Sequence, residues 1–319
     1  MKTKTLLMSR AAALALFMKT KTFLMSRAAA LAPFMKTKTL LMSGAVALAL
    51  LISAVAFLSS GDSELCTSEF AQGAYESAFP YCEKACSKDD GGGCARLGEL
   101  YDKGRGVKQD YQQAKTYYEK ACSLNDGEGC SNLGRLYYDG RGVRQDYKQA
   151  KTYFEKACSL NEGAGCTGLG LLYYYGDGVG RDYKQAKNYF EKGCSLNDGW
   201  GCNVLGVLYE EGRGVKQDYT QAKTYYEKAC SQNNGDGCTS LGRVYYDGIG
   251  VKQDYTQAKT YIEKACNLDY DIGCNNLGVL YHLGRGVKQN KKTAKEYYGK
   301  ACDLGYEKGC DEYRKLKGY

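Results

Sequence analysis

Cys130–Gly165 reads CSNLGRLYYDGRGVRQDYKQAKTYFEKACSLNEGAG, and the same 36-residue pattern starts, without insertion or deletion, at Cys94, Cys166, Cys202, Cys238 and Cys274 as well. A unit this short cannot close a hydrophobic core by itself. Tandem copies at a fixed period therefore predict a solenoid in which stacked neighbours share one continuous core. Leu133, Gly134 and Tyr137 fall at helical spacing, as do Ala150, Tyr153 and Ala157, so each unit holds two helices. The first is predicted over about Cys130 to Tyr138, ended by Asp139-Gly140-Arg141-Gly142, whose glycines accept left-handed backbone. The second starts on Asp146 as N-cap, with Gln149 placed to return a bond to the Asp146 amide. Glu155 and Lys156 read as solvated surface. Gly134 recurs as Gly98, Gly170, Gly206, Gly242 and Gly278. Because a mid-helix glycine costs about 1 kcal/mol against alanine, a close approach by a neighbouring helix is expected there.

The residues Leu133-Gly134-Arg135-Leu136-Tyr137, the GRGV loop from Gly140 to Val143, Gln149-Ala150-Lys151 and Glu155-Lys156-Ala157-Cys158 resemble Sel-one-like repeats, relatives of tetratricopeptide repeats. A cysteine pair in every unit, at positions such as Cys122 and Cys130 where ordinary members carry alanine, is similar to the Helicobacter cysteine-rich protein family. The resemblance covers residues 66–319. It implies an all-α, disulfide-stapled α/α solenoid, a right-handed superhelix that is secreted or periplasmic. It also brings a β-lactamase or penicillin-binding activity.

Residues 1–17, 18–34 and 35–51 are three near copies of one another, and only the third continues into a long apolar stretch. Lys36 and Lys38, the apolar run Ala45 to Leu58 and the small-x-small site Ala54-Val55-Ala56 describe a secretory signal peptide cut after Ala56. A transmembrane anchor competes with that reading, but the run falls short of the roughly 20 apolar residues a spanning helix needs. A lipoprotein fits less well, since Ser63-Glu64-Leu65 before Cys66 does not resemble a lipobox. The upstream copies read as tandem duplication, with Met1, Met18 and Met35 as candidate starts. The expected organisation is a leader over 1–56 with its functional signal at 35–56, an N-terminal half-repeat cap over 57–93, six repeats over 94–309 and a capping helix over 310–319. Residues 1–56 hold eight of the 44 basic residues and none of the 36 acidic ones, so the remainder carries 36 of each and is neutral. The net charge of +8 belongs to the leader and gives no ground for a nucleic-acid partner.

All 16 cysteines follow Ala56. Seven pairs share one spacing: Cys86/Cys94, Cys122/Cys130, Cys158/Cys166, Cys194/Cys202, Cys230/Cys238, Cys266/Cys274 and Cys302/Cys310. Each brackets a glycine-rich turn between the second helix of one unit and the first of the next. A helix-turn-helix brings such positions within bridging distance, and an export signal supplies an oxidising compartment. Reduced, buried cysteines in place of alanine are one alternative. A zinc array is another, although thiolate zinc sites favour C-x-x-C spacing and the chain has a single histidine. Aligning residues 83–86 on 155–158 puts Cys82 at the Phe154 position and Cys66 at the Tyr138 position, so these two are expected to bridge each other. Pro80 is expected to interrupt the helix there. The polar end DEYRKLKGY after Cys310 closes the stack.

A serine β-lactamase needs a serine with a lysine one turn later and Ser-Asp-Asn and Lys-Thr-Gly elements, and none of these occurs. A zinc enzyme needs clustered histidines, and His282 stands alone, so it would also have to serve any Ser-His-Asp triad. Paired carboxylates such as Glu210-Glu211 and Asp89-Asp90 read as solvated rather than catalytic. The GRGV loops lack a Walker lysine-serine pair and read as turns. Binding is the better-supported function. If packing follows tetratricopeptide repeats, the first helices line a groove through Ser131, Arg135 and Tyr138 and their equivalents. These are Ala95, Glu99 and Asp102; Thr167, Leu171 and Tyr174; Asn203, Val207 and Glu210; Thr239, Arg243 and Tyr246; Asn275, Val279 and His282. They vary while the core repeats. Trp200, the only tryptophan, stands on the turn before such a helix. The plainer alternatives are that Tyr138, Tyr174 and Tyr246 cover the aliphatic core and that His282 is a surface histidine. The expectation is a secreted or periplasmic, disulfide-rich scaffold for protein, peptide or cell-wall-like ligands, with no cofactor or metal and no stable membrane insertion after signal cleavage. The alternative is the β-lactamase or penicillin-binding hydrolase that the resemblance implies, acting on a β-lactam or peptidoglycan-like molecule.

Overall fold

Short polar side chains decide where each helix of the unit begins. In the computed structural model, which describes residues 61–318, Asp146 Oδ1 accepts from the amides of Lys148 and Gln149 at 2.9 and 3.1 Å, the expected N-cap. Gln149 does not complete a capping box, because the Asp146 amide is already donated to the Tyr137 carbonyl at 2.9 Å. The first helix starts earlier than the sequence reading placed it. Asp126 accepts from the Gly129 amide at 2.7 Å, so the helix runs Gly127–Asp139. Gly127 and Gly129 are therefore helical, and the tight turn before them is made by Asn125 at φ 61°. Asn161, Asn197 and Asn233, with Asp89 and Asp269, take the same left-handed conformation, which short polar side chains tolerate. Gly129 is needed for proximity instead: a Cβ there would lie 2.4 Å from that of Ala121. At the other end Gly140 caps the first helix at φ 70°, as expected.

Helices α1 (61–71) and α2 (Tyr75–Ser87) form an N-terminal hairpin. Six pairs follow: α3 (Gly91–Lys103) and α4 (Tyr111–Ser123), α5 (Gly127–Asp139) and α6 (Tyr147–Ser159), α7 (Gly163–Tyr175) and α8 (Tyr183–Ser195), α9 (Gly199–Glu211) and α10 (Tyr219–Ser231), α11 (Gly235–Asp247) and α12 (Tyr255–Asn267), α13 (Asp271–Leu283) and α14 (Lys291–Asp303). Helix α15 (Glu307–Lys317) ends the described chain with only Gly309 buried. There are fifteen helices and no strand among the described residues. The leader and its cleavage site at Ala56 lie outside them. Pro80 does not interrupt its helix: α2 continues through it to Ser87. The proline forgoes one bond, to the Glu76 carbonyl, while buried Ala78 and Cys82 hold the helix on either side.

The core is shared between units: Leu133 and Leu136 of α5 cluster with Ala114, Tyr118 and Cys122 of α4 and Ala157 of α6, and Ala150 and Phe154 of α6 cluster with Leu169 and Leu172 of α7, all buried. Tyr137 stacks on Tyr153 with ring centroids 5.6 Å apart, and five other units repeat this pair. The recurring glycine has the packing reason expected of it, but what approaches is a ring from the same unit. A Cβ on Gly134 would lie 2.7 Å from Phe154, and Gly170, Gly206 and Gly278 meet Phe190, Tyr226 and Tyr298 in the same way. Phe154 also touches the next unit, since a Cβ on Gly168 of α7 would lie 2.7 Å from it. Tyr118, Phe190 and Tyr226 likewise cluster with the leucines of the next first helix, so these rings fill the seams between consecutive first helices. Those helices pack in a row, α3 on α5, α5 on α7, α7 on α9, α9 on α11 and α11 on α13, while second helices make no comparable contact with one another. The row of first helices is the inner side of the stack.

Eight disulfides join adjacent helices: Cys66–Cys82 and the seven pairs Cys86–Cys94, Cys122–Cys130, Cys158–Cys166, Cys194–Cys202, Cys230–Cys238, Cys266–Cys274 and Cys302–Cys310. Cα separations of 4.4–4.8 Å lie at the close end of what a disulfide spans. No cysteine is free among the described residues, so neither reduced thiols nor a zinc array describes these sulfurs. Lys156 is not simply solvated surface. Its Nζ donates to the Cys122 carbonyl of the preceding second helix at 2.6 Å, and Lys120, Lys192, Lys264 and Lys300 repeat the bond one or more units away. A cation at a helix C-terminus is favoured by the helix dipole, so the lysine ties each second helix to its predecessor. Glu155 is half exposed and pairs only with Lys151 of its own helix.

Candidate binding surface

Positions three, seven and ten residues apart share one face of a helix, and on α9 that face carries Trp200, Asn203, Val207 and Glu210. Trp200 is in the first turn of α9 rather than on the turn before it, and it is 43% exposed. The equivalent faces are Ser131, Arg135 and Tyr138 on α5, Thr167, Leu171 and Tyr174 on α7, Thr239, Arg243 and Tyr246 on α11, and Asn275, Val279 and His282 on α13. These helices form the inner row, but not every expected groove residue faces outward from it: Ala95, Asp102, Ser131, Thr167, Leu171 and Asn203 are buried.

Most polar groups at these positions are occupied by a neighbouring unit. Asp102, with its side chain 1% exposed, accepts from Arg141 Nη1 at 3.1 Å, and Arg135 lies 3.6 Å away. Tyr138 OH donates to Asp177 at 2.9 Å, Arg213 donates to Tyr174 OH at 2.7 Å, and Arg285 donates to Tyr246 OH. Each partner stands 39 residues on, between the two glycines of the next loop. The tyrosines therefore neither cover the core alone nor offer free hydroxyls; they clamp unit to unit. Sequence reading missed Arg141, Asp177, Arg213 and Arg285. Their only signal was a residue that varies between two invariant glycines, Arg141, Asp177, Arg213, Ile249 and Arg285.

Glu210 breaks the pattern because its loop position is Ile249. It accepts instead from Arg243 at 2.8 and 2.6 Å and from Tyr226 OH at 2.6 Å. Burial pushes its carboxyl up, but the bonds from Arg243 and Tyr226 and the Arg243 charge outweigh that and hold it below the usual glutamate range. Burial and the Glu210 carboxylate together push the Tyr226 phenol up. A carboxylate whose folded pKa is depressed contributes its full stability above the unfolded value, about 4.3, and loses it as pH falls through the folded one. Glu210→Gln is expected to cost about 1–2 kcal/mol at pH 7. It should also flatten the decline in melting temperature between about pH 5 and 3 relative to the parent; parallel pH profiles would contradict this.

Ser131 and Asn203 are buried, and Asn203 Oδ1 accepts from Ser240 across the α9–α11 seam at 3.1 Å. Asn275 Oδ1 is buried without a partner. His282 Nδ1 lies 3.5 Å from Tyr298 OH, and among the described residues no serine or carboxylate bonds to its ring, so it has no triad around it. No cluster of three metal-ligating side chains occurs among the described residues, and no helix there is long and apolar enough to cross a membrane.

A model of the Sel1 repeat matches residues 92–126, 127–162, 163–198, 201–234, 235–270 and 272–306. The chain belongs to the Sel1 repeat family. The Sel1 boundaries fall close to the observed first-helix starts, about three residues before the cysteines used to mark the units in sequence. A crystal structure of a Sel1 repeat protein from Oxalobacter formigenes is similar at TM-score 0.63 and 28% identity, covering 75% of this chain and 98% of that one. So is c5321, a protective antigen present in uropathogenic Escherichia coli strains displaying an SLR fold, at TM-score 0.56 and 29% identity over 85% of this chain and 59% of that one. Helicobacter pylori cysteine rich protein B is 37% identical over 41% of this chain and 94% of its own, with TM-score 0.35. No curated protein sequence matches the chain. The expected Sel1-type solenoid and its disulfide-rich character are both borne out, whereas the β-lactamase expectation finds no support in the site or in the family match.

Proposed function

We propose that this Sel1 repeat protein is a binding scaffold whose inner row of first helices docks an extended protein or peptide segment outside the cytoplasm. The observation that carries the reading is the unbroken row of first helices, covalently pinned and clamped unit to unit. A surface fixed in advance loses little freedom when a ligand lies along it. Exposed Trp200 and the half-buried aliphatic side chains of Val207 and Val279 supply apolar contact between the polar clamps. Eight disulfides support an oxidising compartment, in keeping with the signal-like stretch at 35–56. Random peptides displayed on phage and selected on the oxidised protein test it. Trp200→Ala and Val207→Arg are expected to weaken selected peptides at least tenfold, while Lys184→Ala on the exposed side of α8 leaves them unchanged. Peptides indifferent to both inner substitutions would refute the reading.

A further inference from the structure

Four of the five seams between consecutive first helices hold an aromatic ring, Tyr118, Phe154, Phe190 and Tyr226, and Tyr298 packs on Gly278 beneath the terminal helix. The fifth seam has Ile262 instead, packed on Gly242. A second change accompanies it. Arg135 and Arg243 reach back over their seams to Asp102 and Glu210, whereas Leu171, Val207 and Val279 are too short to do so, and only the α11–α13 seam lacks both the ring and the arginine. At this seam the structure holds a cavity of about 300 Å³ with Ile262, Val279 and Leu280 as its apolar wall and Ser240 and Asn276 at its polar edge. Thr239, also on its wall, has a buried hydroxyl without a partner. The volume is at the lower end of the roughly 300–1,000 Å³ of ligand sites.

We propose that this seam between α11 and α13 is a specificity pocket that receives an aromatic side chain of the docked segment. The proposal rests on the docking reading above and names what that surface selects. The chain itself shows which shape suits the space, because in the four sibling seams a phenyl or phenol ring occupies it from the second-helix side. Here that ring is missing, and the first-helix residues Arg243, Tyr246 and Val279 line the cavity. Arg243 at the rim is neutralised by Glu210, so the pocket favours an uncharged ring over a carboxylate. Tyrosine suits it best: its ring matches the aliphatic wall, and its hydroxyl meets the polar edge of Ser240 and Asn276.

The test is a titration of the oxidised full-length protein with N-acetyl-tyrosinamide, followed through the methyl resonances of Ile262, Val279 and Leu280, with N-acetyl-alaninamide as control. The tyrosine probe is expected to give saturable shifts confined to these methyls, and the alanine probe none. Ile262→Phe restores the sibling ring; it should leave the melt intact, weaken the tyrosine probe at least tenfold and weaken selected aromatic peptides equally. Val279→Arg, which closes the opening from the rim, provides a second blocked form that does not depend on the core substitution. A tyrosine probe that shifts nothing, or that binds both blocked forms as well as the parent, overturns the pocket. So do selected peptides that lack aromatic residues, or that bind Ile262→Phe undiminished while still losing affinity to Trp200→Ala, and in that last case the docking surface stands without its pocket. If Trp200→Ala and Val207→Arg have no effect while the probe still seats, the docking reading falls and the ring site remains.

Discussion

Replacing Cys158 and Cys166 together by alanine is expected to lower the unfolding free energy by about 2–3 kcal/mol, the loop-closure entropy that a bridge over so short a loop removes from the unfolded chain. The pair sits mid-stack, joining α6 to α7, and the units on either side touch only their neighbours. A weakened junction in a quasi-one-dimensional array is felt locally, so the denaturant transition should broaden or split as well as shift. Reduction of all eight bridges has a larger effect. On the same model their combined contribution is about 20 kcal/mol, above the 5–15 kcal/mol net stability of an ordinary domain. The reduced chain is expected to lose most of its helical signal at 25 °C, as circular dichroism with and without reductant would show. An unchanged melt would mean that packing and lysine caps alone hold the stack.

The ring seam gives the second large effect. Gly170 faces Phe190, whose ring atoms would lie 2.5 Å from a Cβ at that position, and Phe190 is fully buried. Gly170→Val is expected to cost on the order of 3 kcal/mol through overpacking, and Phe190→Ala about 3–5 kcal/mol through the cavity it leaves. The two changes nearly cancel in volume. The double variant should therefore be more stable than the sum of the single losses predicts, by about 1–3 kcal/mol in a double-mutant cycle. Additive losses would show that the valine and the ring do not compete for one space.

Periodicity revealed the architecture because the unit repeats without a gap, so hydrophobic spacing, the Asp146 cap and the Gly140 stop are all local and all appear in the structure. Cysteine pairing was equally legible, since both members of each pair flank one turn. What a local pattern cannot show is which group from another helix fills a given space. Gly134 announced a close approach, but its partner is a ring 20 residues away in sequence, and the chain gives no rule linking the two. The lysine caps and the clamps join neighbouring units, so they depend on the stacking register, which no single unit specifies. Lys156 looked solvated for that reason. The variation at Asp102, Tyr138, Tyr174 and Tyr246 looked like a surface adapted to a ligand, but part of it answers to Arg141, Asp177, Arg213 and Arg285 in the following loops. The early start of the first helix was hidden by Gly127 and Gly129, which read as turn residues; their real constraint is close contact, of Gly129 with Ala121 in the helix before and of Gly127 with Glu162 at the next unit's turn.

The covalent bracing is the premise shared by the pinned inner row, the proposed extracytoplasmic setting and the proposed ring pocket. Alkylating the native protein under denaturing, non-reducing conditions and weighing it by mass spectrometry tests that premise directly. The account predicts no alkyl groups added, and peptide maps that join each of the seven repeated pairs as well as Cys66 to Cys82. Sixteen alkyl groups, one for each cysteine of the chain, would contradict it.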